Sequence, residues 1–170
     1  MNVRVGLGFD VHPFTAGRPL VLGGVTIEGA AGLAGHSDAD VVAHAVADAL
    51  LGAAGLPDLG TLFPASDDEH AGASSLGFLE GVAEHLRAEG CTIVNVDVVI
   101  AAETPRLAPH LAAMAANLAR ALADAHHGDD PLPVSVKPKR AEGLGAIGRA
   151  EGIAAWAVAL VEHGIWPEAS

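Results

Sequence analysis

A chain of 170 residues with 9 Lys+Arg against 21 Asp+Glu carries a formal charge of −12, which argues against nucleic acid as its main partner. The length predicts one domain over 1–170, able to bury roughly 70% of its unfolded surface without staples. Cys91 is the single cysteine, which excludes an internal disulfide and leads us to expect a reducing, cytoplasmic location. With no apolar run of ~18 residues and no basic segment ahead of an apolar core, neither a membrane span nor a secretory leader is expected.

Arg4 to His12 alternates as a strand, with Val5, Leu7 and Phe9 on one face and Asp10 and His12 on the other. Pro13 to Pro19 reads as a turn. Leu20 to Ile27 reads as a second strand, interrupted by Gly23-Gly24 as a candidate bulge. Gly29 to Gly35 is a loop. Asp38 or Asp40 can cap a helix running to about Ala54. Gly55 to Gly72, with Pro57, Gly60 and Pro64, is predicted as a long ordered loop of the kind that often carries function.

A helix starting at Ser74 or Ser75 should end near Gly90, a residue suited to the position just past a helix. Cys91 to Ala102 is rich in Thr, Ile and Val and reads as a strand. Pro109 to Ala125 follows as a helix, His126 to Pro131 as a turn, Leu132 to Lys137 as a strand and 138–148 as a loop. Residues 149–163 are apolar with little charge, and periodicity alone leaves strand and helix both open. Strands interleaved with helices predict an open α/β or α+β sheet with helices on one face. Several strands lack a polar face, as they would if the second face packed against a partner subunit.

The chemistry-bearing residues cluster early. Asp10 and His12, spaced i, i+2 on a strand, leave the same face, and His44 sits one helical turn after Asp40 and one before Asp48. Two imidazoles and a carboxylate suit a borderline-soft ion such as zinc, with a fourth position left open. Asp38 and Asp40 can cap the helix, orient a ligand histidine, or do both, and Asp48 can orient His44. The only two lysines, Lys137 and Lys139, stand beside Arg140, forming a local basic patch for a phosphorylated small molecule or else a solvated face. His70, His85, His126, His127 and His163 read as solvated surface residues.

Seven blocks in order resemble the 2-C-methyl-D-erythritol 2,4-cyclodiphosphate synthase family. They are Gly8-Phe9-Asp10-Val11-His12, His36-Ser37-Asp38-Ala39-Asp40 with His44, Asp48 to Ala53, Asp58 to Pro64, Asn95 to Val98, Pro105-Arg106 with Pro109-His110, and Gly148 to Gly152. The resemblance covers almost the whole chain. It implies conversion of 4-diphosphocytidyl-2-C-methyl-D-erythritol 2-phosphate to the cyclic diphosphate and CMP, in the non-mevalonate isoprenoid pathway. It also implies a ferredoxin-like α+β fold with a mixed sheet, helices on one face, and sheets packed around the axis of a homotrimer with active sites between subunits. By the same likeness 153–161 is a strand.

The likeness further implies roles. Asp10, His12 and His44 match zinc ligands, and Glu142 matches a position at a second ion, Mg²⁺ or Mn²⁺. His36 and Ser37 match a loop that closes over substrate. Asp58, Leu59, Gly60 and Asp67 match the methylerythritol site, and Ala102, Arg106, Leu107 and Ala108 the cytidine pocket. Arg149, with Glu151, matches a central cavity where isoprenoid diphosphates bind, though the pair can equally serve as a structural ion pair. This chain departs from the family at Lys139-Arg140-Ala141, where a Thr-rich run is usual, at Ala65, where an acidic residue is usual, and at Ala146, where an aromatic is common. Lys139 and Arg140 are expected to bind the diphosphate in place of hydroxyls. A metal-dependent phosphohydrolase and a non-catalytic sensor of isoprenoid diphosphates are the competing classes.

Overall fold

The computed structural model describes residues 2–64, 74–126 and 130–164. In chain order its elements are β1 (Asn2–Thr15), β2 (Leu20–Leu22), β3 (Val25–Ile27), β4 (Gly32–Leu33), α1 (Val41–Ala54), α2 (Leu59–Leu62) and α3 (Ser75–Ala88), followed by β5 (Cys91–Ala101), α4 (Leu111–Ala121), β6 (Val134–Lys139), α5 (Gly145–Gly148) and β7 (Gly152–His163). Short 3₁₀ turns flank α4 at Ala108–His110 and Ala123–Ala125.

Five strands form one mixed sheet in the order β4-β1-β7-β5-β6. β1 and β7 pair antiparallel from Asn2↔His163 to Pro13↔Gly152. β5 is antiparallel to β7 and parallel to β6, so the chain crosses over through α4 between those two. α1 lies across β1 and β7, with α3 packed beside it. The core sits between helices and sheet and holds Leu50, Leu51, Leu79, Leu86, Ile93 and Ile100, all fully buried.

The other sheet face carries no helix among the described residues. Val5 and Leu7 are 67% and 69% exposed there, with Val3, Phe9, Val11, Trp156 and Val158 also in the open. The strand predicted over Arg4 to His12 is therefore present but longer, and its apolar Val5, Leu7 and Phe9 point away from the core. The covered side of β1 carries Gly6 and Gly8 instead.

Other expectations change in detail. Leu20 to Ile27 is not one bulged strand but a tight hairpin, because Gly23 and Gly24 both adopt positive φ (54° and 69°), as a two-residue turn of the primed type requires. The loops predicted around 29–35, 55–72 and 138–148 contain β4, α2 and α5 respectively. The helix expected over Pro109 to Ala125 is split into α4 and its flanking 3₁₀ turns. The undecided 149–163 run is strand β7. His163 is buried rather than solvated, and half-buried His126 donates from Nδ1 to the Ile93 carbonyl at 2.9 Å. His70 and His127 lie outside the described residues.

Candidate metal centre and nucleotide cavity

Strand geometry sends Asp10 and His12 to the helix side of β1, and α1 brings His44 opposite them. Asp40 places that helix. Its carboxylate accepts from the Val42 and Ala43 N–H groups (3.1 Å each) as the N-cap, and from the Gly23 (2.9 Å) and Gly24 (2.7 Å) N–H groups of the hairpin. One fully buried side chain thus ties the start of α1 to the β2–β3 turn. Burial pushes its carboxyl up to about 6, against the backbone donors that favour the ionised form.

The three predicted ligands converge. Asp10 Oδ2 lies 3.0 Å from His44 Nδ1 and 3.0 Å from His12 Nε2. The His12 contact is off the hydrogen-bonding direction, so this buried nitrogen has no hydrogen-bond partner among the described residues. One donor atom from each residue falls within 4.8 Å of the other two, the spacing of a potential metal-binding triad. Burial alone would raise the Asp10 carboxyl, but the facing imidazoles of His12 and His44 outweigh it and hold the group well below the ordinary carboxylate range. Burial would lower His44, but the Asp10 carboxylate outweighs that and raises it. An orphaned imidazole nitrogen beside a carboxylate fits a bound cation.

The triad opens into a cavity of about 290 Å³ that also includes His36, Ser37, Leu59 and Gly60. His36 is exposed and Ser37 buried. The Arg18 guanidinium donates to the Gly35 and Ser37 carbonyls and so pins this loop, a role that no sequence spacing announced. Asp58 is exposed and caps α2 through the Thr61 N–H at 2.9 Å. Hydrogen bonding from Thr61 keeps its carboxyl low. Asp48 does not orient His44. Its Oδ1 accepts from the Leu59 N–H at 2.9 Å, tying α1 to α2, while the His44 nitrogens face Asp10 and two serines. Ser75, which the sequence marked only as a helix start, stands 3.0 Å from His44 Nε2.

A second cavity of about 360 Å³ collects the predicted cytidine and diphosphate residues Ala102, Arg106, Leu107, Ala108, Lys139 and Arg140. Arg140 is not free within the basic patch. Its Nε donates to Glu103 Oε1 at 3.0 Å and its Nη2 to the same oxygen, which lowers the Glu103 carboxyl. Lys137 is likewise held by Asp97 at 2.5 Å. Glu142, at a left-handed φ of 53°, and Arg149, paired with Glu151 at 2.7 Å, line neither of these two cavities. Asp67 and Ala65 lie outside the described residues.

Comparison with known proteins agrees along nearly the full length. A model of the YgbB family matches residues 3–162. The 2-C-methyl-D-erythritol 2,4-cyclodiphosphate synthase of Bordetella petrii is 53% identical over 163 residues, covering 95% of this chain and 98% of that relative. Among solved structures, the bifunctional IspDF of Campylobacter jejuni matches with a TM-score of 0.87 at 38% identity. It covers 97% of this chain, which spans 43% of that longer one. IspF of Plasmodium falciparum, solved as a CDP complex, matches with a TM-score of 0.79 at 30% identity over 96% of this chain and 98% of that one. The chain therefore belongs to the YgbB family.

Proposed function

We propose that the chain converts 4-diphosphocytidyl-2-C-methyl-D-erythritol 2-phosphate to 2-C-methyl-D-erythritol 2,4-cyclodiphosphate and CMP, as a phosphorus–oxygen lyase of non-mevalonate isoprenoid biosynthesis. The observation that carries this reading is the convergence of Asp10, His12 and His44 in a chain 53% identical to a synthase of that name. In the reaction the substrate's own 2-phosphate oxygen attacks the β-phosphorus. The new P–O bond closes the ring, and the bond between the bridging oxygen and that phosphorus breaks to release CMP. No protein nucleophile is needed, so the residues must supply proximity, worth ~7–11 kcal/mol when well oriented, and neutralise charge at the transferring phosphoryl group.

Asp10, His12 and His44 would hold Zn²⁺, and Glu142 a second ion, Mg²⁺ or Mn²⁺. When bound, such ions supply Lewis acidity and a template for the phosphate oxygens. His36 and Ser37, on the loop pinned by Arg18, would close over the phosphates. Leu59 and Gly60 at the cavity wall, with Asp58 and Asp67, would hold the methylerythritol. Ala102, Arg106, Leu107 and Ala108 would take the cytidine. Lys139 and Arg140 would bind the diphosphate, with Glu103 presetting the guanidinium of Arg140. Arg149 and Glu151 would line a central cavity open to isoprenoid diphosphates.

Two separate cavities on one chain support active sites assembled between subunits, each combining the triad of one copy with the nucleotide cavity of another. The uncovered apolar sheet face supports a homotrimer packed on it, with a ferredoxin-like protomer. A single domain over 1–170 in the cytoplasm completes the reading. Among the described residues no helix is long and apolar enough to cross a membrane.

Metal analysis combined with a CMP-release assay tests it. We expect one zinc per chain, and CMP equimolar with cyclic product. His44→Ala should lose metal and at least ~10²–10³-fold in rate. Full activity after thorough chelation, or inorganic phosphate with a linear product, would overturn the assignment.

A further inference from the structure

His44 offers either ring nitrogen, and which one carries the proton decides whether it can bind a metal ion beside Asp10. A chain of hydrogen bonds behind the ring settles this. Ser75, only 1% exposed, sits at the first turn of α3 with Oγ 3.0 Å from His44 Nε2. The same hydroxyl donates to Asp38 Oδ1, and the Ser75 N–H donates to Asp38 Oδ2 at 3.0 Å. Asp38, as a carboxylate, only accepts. A serine has one hydroxyl proton, and here it is committed to Asp38. Toward His44 the Ser75 oxygen can then only accept, so His44 Nε2 must carry the hydrogen. Ser37 Oγ lies 3.3 Å from the same nitrogen and 3.4 Å from Ser75 Oγ, so the Ser75 oxygen can take the Ser37 hydroxyl proton and leave the Ser37 oxygen as a second acceptor for Nε2–H.

Nδ1, the nitrogen 3.0 Å from Asp10 Oδ2, is then the one that shares a proton with that carboxylate or, without that proton, offers its lone pair. Either way the site calls for positive charge between Nδ1 and the Asp10 oxygen, with Nε2 of His12 alongside, and a metal ion can take the place of the shared proton. We infer that Ser75, anchored by Asp38, is the positioning residue that holds His44 in its Nε2–H tautomer and so turns Nδ1 toward the metal ion. This inference rests on the triad being a zinc site. Partners on the far nitrogen of a ligating histidine commonly set metal affinity through tautomer and ring orientation.

The test is zinc affinity of the full chain by chelator competition, together with the His44 tautomer from long-range ¹H–¹⁵N correlation spectra of the zinc-loaded protein. Ser75→Ala should weaken zinc binding ~10–100-fold. Its metal-free melting temperature should stay close to that of the parent, because a residue at the first turn of α3 keeps its backbone bond to Asp38. Ser75→Thr, which retains the hydroxyl, should restore affinity. Failure of the unsubstituted chain to bind zinc would remove the metal site itself. Zinc bound by the parent but equally tightly by Ser75→Ala, or a loaded His44 protonated on Nδ1, would overturn the role given to Ser75.

Discussion

On the face of the sheet that carries α1, strand β1 presents Gly6 and Gly8; on the opposite face the same strand presents Val5, Leu7 and Phe9. Both faces are apolar, yet they are apolar for different reasons. Where the helix lies, a Cβ on Gly6 would come within 1.9 Å of the Ala49 carbonyl oxygen, and one on Gly8 within 1.9 Å of the Ala45 oxygen. Two residues along a strand cover ~6.7 Å and four along a helix ~6 Å, so Gly6 and Gly8 meet Ala49 and Ala45 in step. Small residues on both sides let backbone pack on backbone, which carries His44 down to Asp10 and His12. The opposite face keeps its bulk: Phe9 and Trp156 pack at 5.1 Å between ring centroids, still half exposed. The close-packed face brings the Asp10, His12 and His44 triad together within one copy, and the bulky face supports the proposed contact with others.

Gly8→Val is the severest way to break this contrast. The added branches must displace helix backbone rather than a flexible side chain, so the cost should exceed the ~1–3 kcal/mol of ordinary overpacking and consume much of the ~5–15 kcal/mol that holds a domain folded. Urea unfolding should show a collapsed midpoint or no native baseline, and a parent-like curve would mean that the helix does not lie so close. Asp40→Ala comes next. It leaves the N–H groups of Gly23, Gly24, Val42 and Ala43 without their acceptor. Lost capping and stranded donors together should cost about 2–4 kcal/mol, read from the same denaturation curves.

Much of this was legible in the sequence, for physical reasons that also mark where legibility stopped. Asp10 and His12 share a strand face by simple alternation, and His44 follows its cap by one turn, so the triad could be drawn before any fold was known. Alternation shows that Val5, Leu7 and Phe9 share a side but not which side meets the helix. That choice depends on Gly6 and Gly8 meeting Ala45 and Ala49, which is a tertiary fact. Gly23-Gly24 was ambiguous because bulges and primed turns use the same residue. Ser75, Arg18 and Glu103 act through contacts 31, 19 and 37 positions away along the chain, and no local pattern encodes such distances. The basic patch was visible, but its neutralisation by Glu103 and Asp97 was not.

Leu7→Asp probes the bulky face. At 69% exposure in one copy, Leu7 contributes little to the fold of the isolated chain, and surface changes of this kind usually fall within ~0.5 kcal/mol. If copies pack on this face, each loses the ~1.5–3 kcal/mol of a buried leucine and gains a charge in an apolar contact. Sedimentation should then show the assembly falling to single chains that still unfold at the parent's midpoint. Unchanged assembly would remove this face from the interface.

The smallest effect belongs to the polar margin of the same face, where Lys137 pairs with Asp97 and Ser135 donates to that carboxylate. The register sets Lys137 beside Val99, and Val99 beside Trp156, so the open face grades from apolar at β1 to charged at β6. Both partners are well exposed in one copy, at 49% and 39%. A surface pair of this kind contributes ~0–1 kcal/mol, so Lys137→Ala should barely move the midpoint of the dissociated Leu7→Asp background. In the assembled parent background the two readings separate. A margin left in water repeats that small shift and makes it smaller still in high salt. A margin buried between copies leaves Asp97 as an unpaired charge, which enlarges the shift several-fold and makes it insensitive to salt.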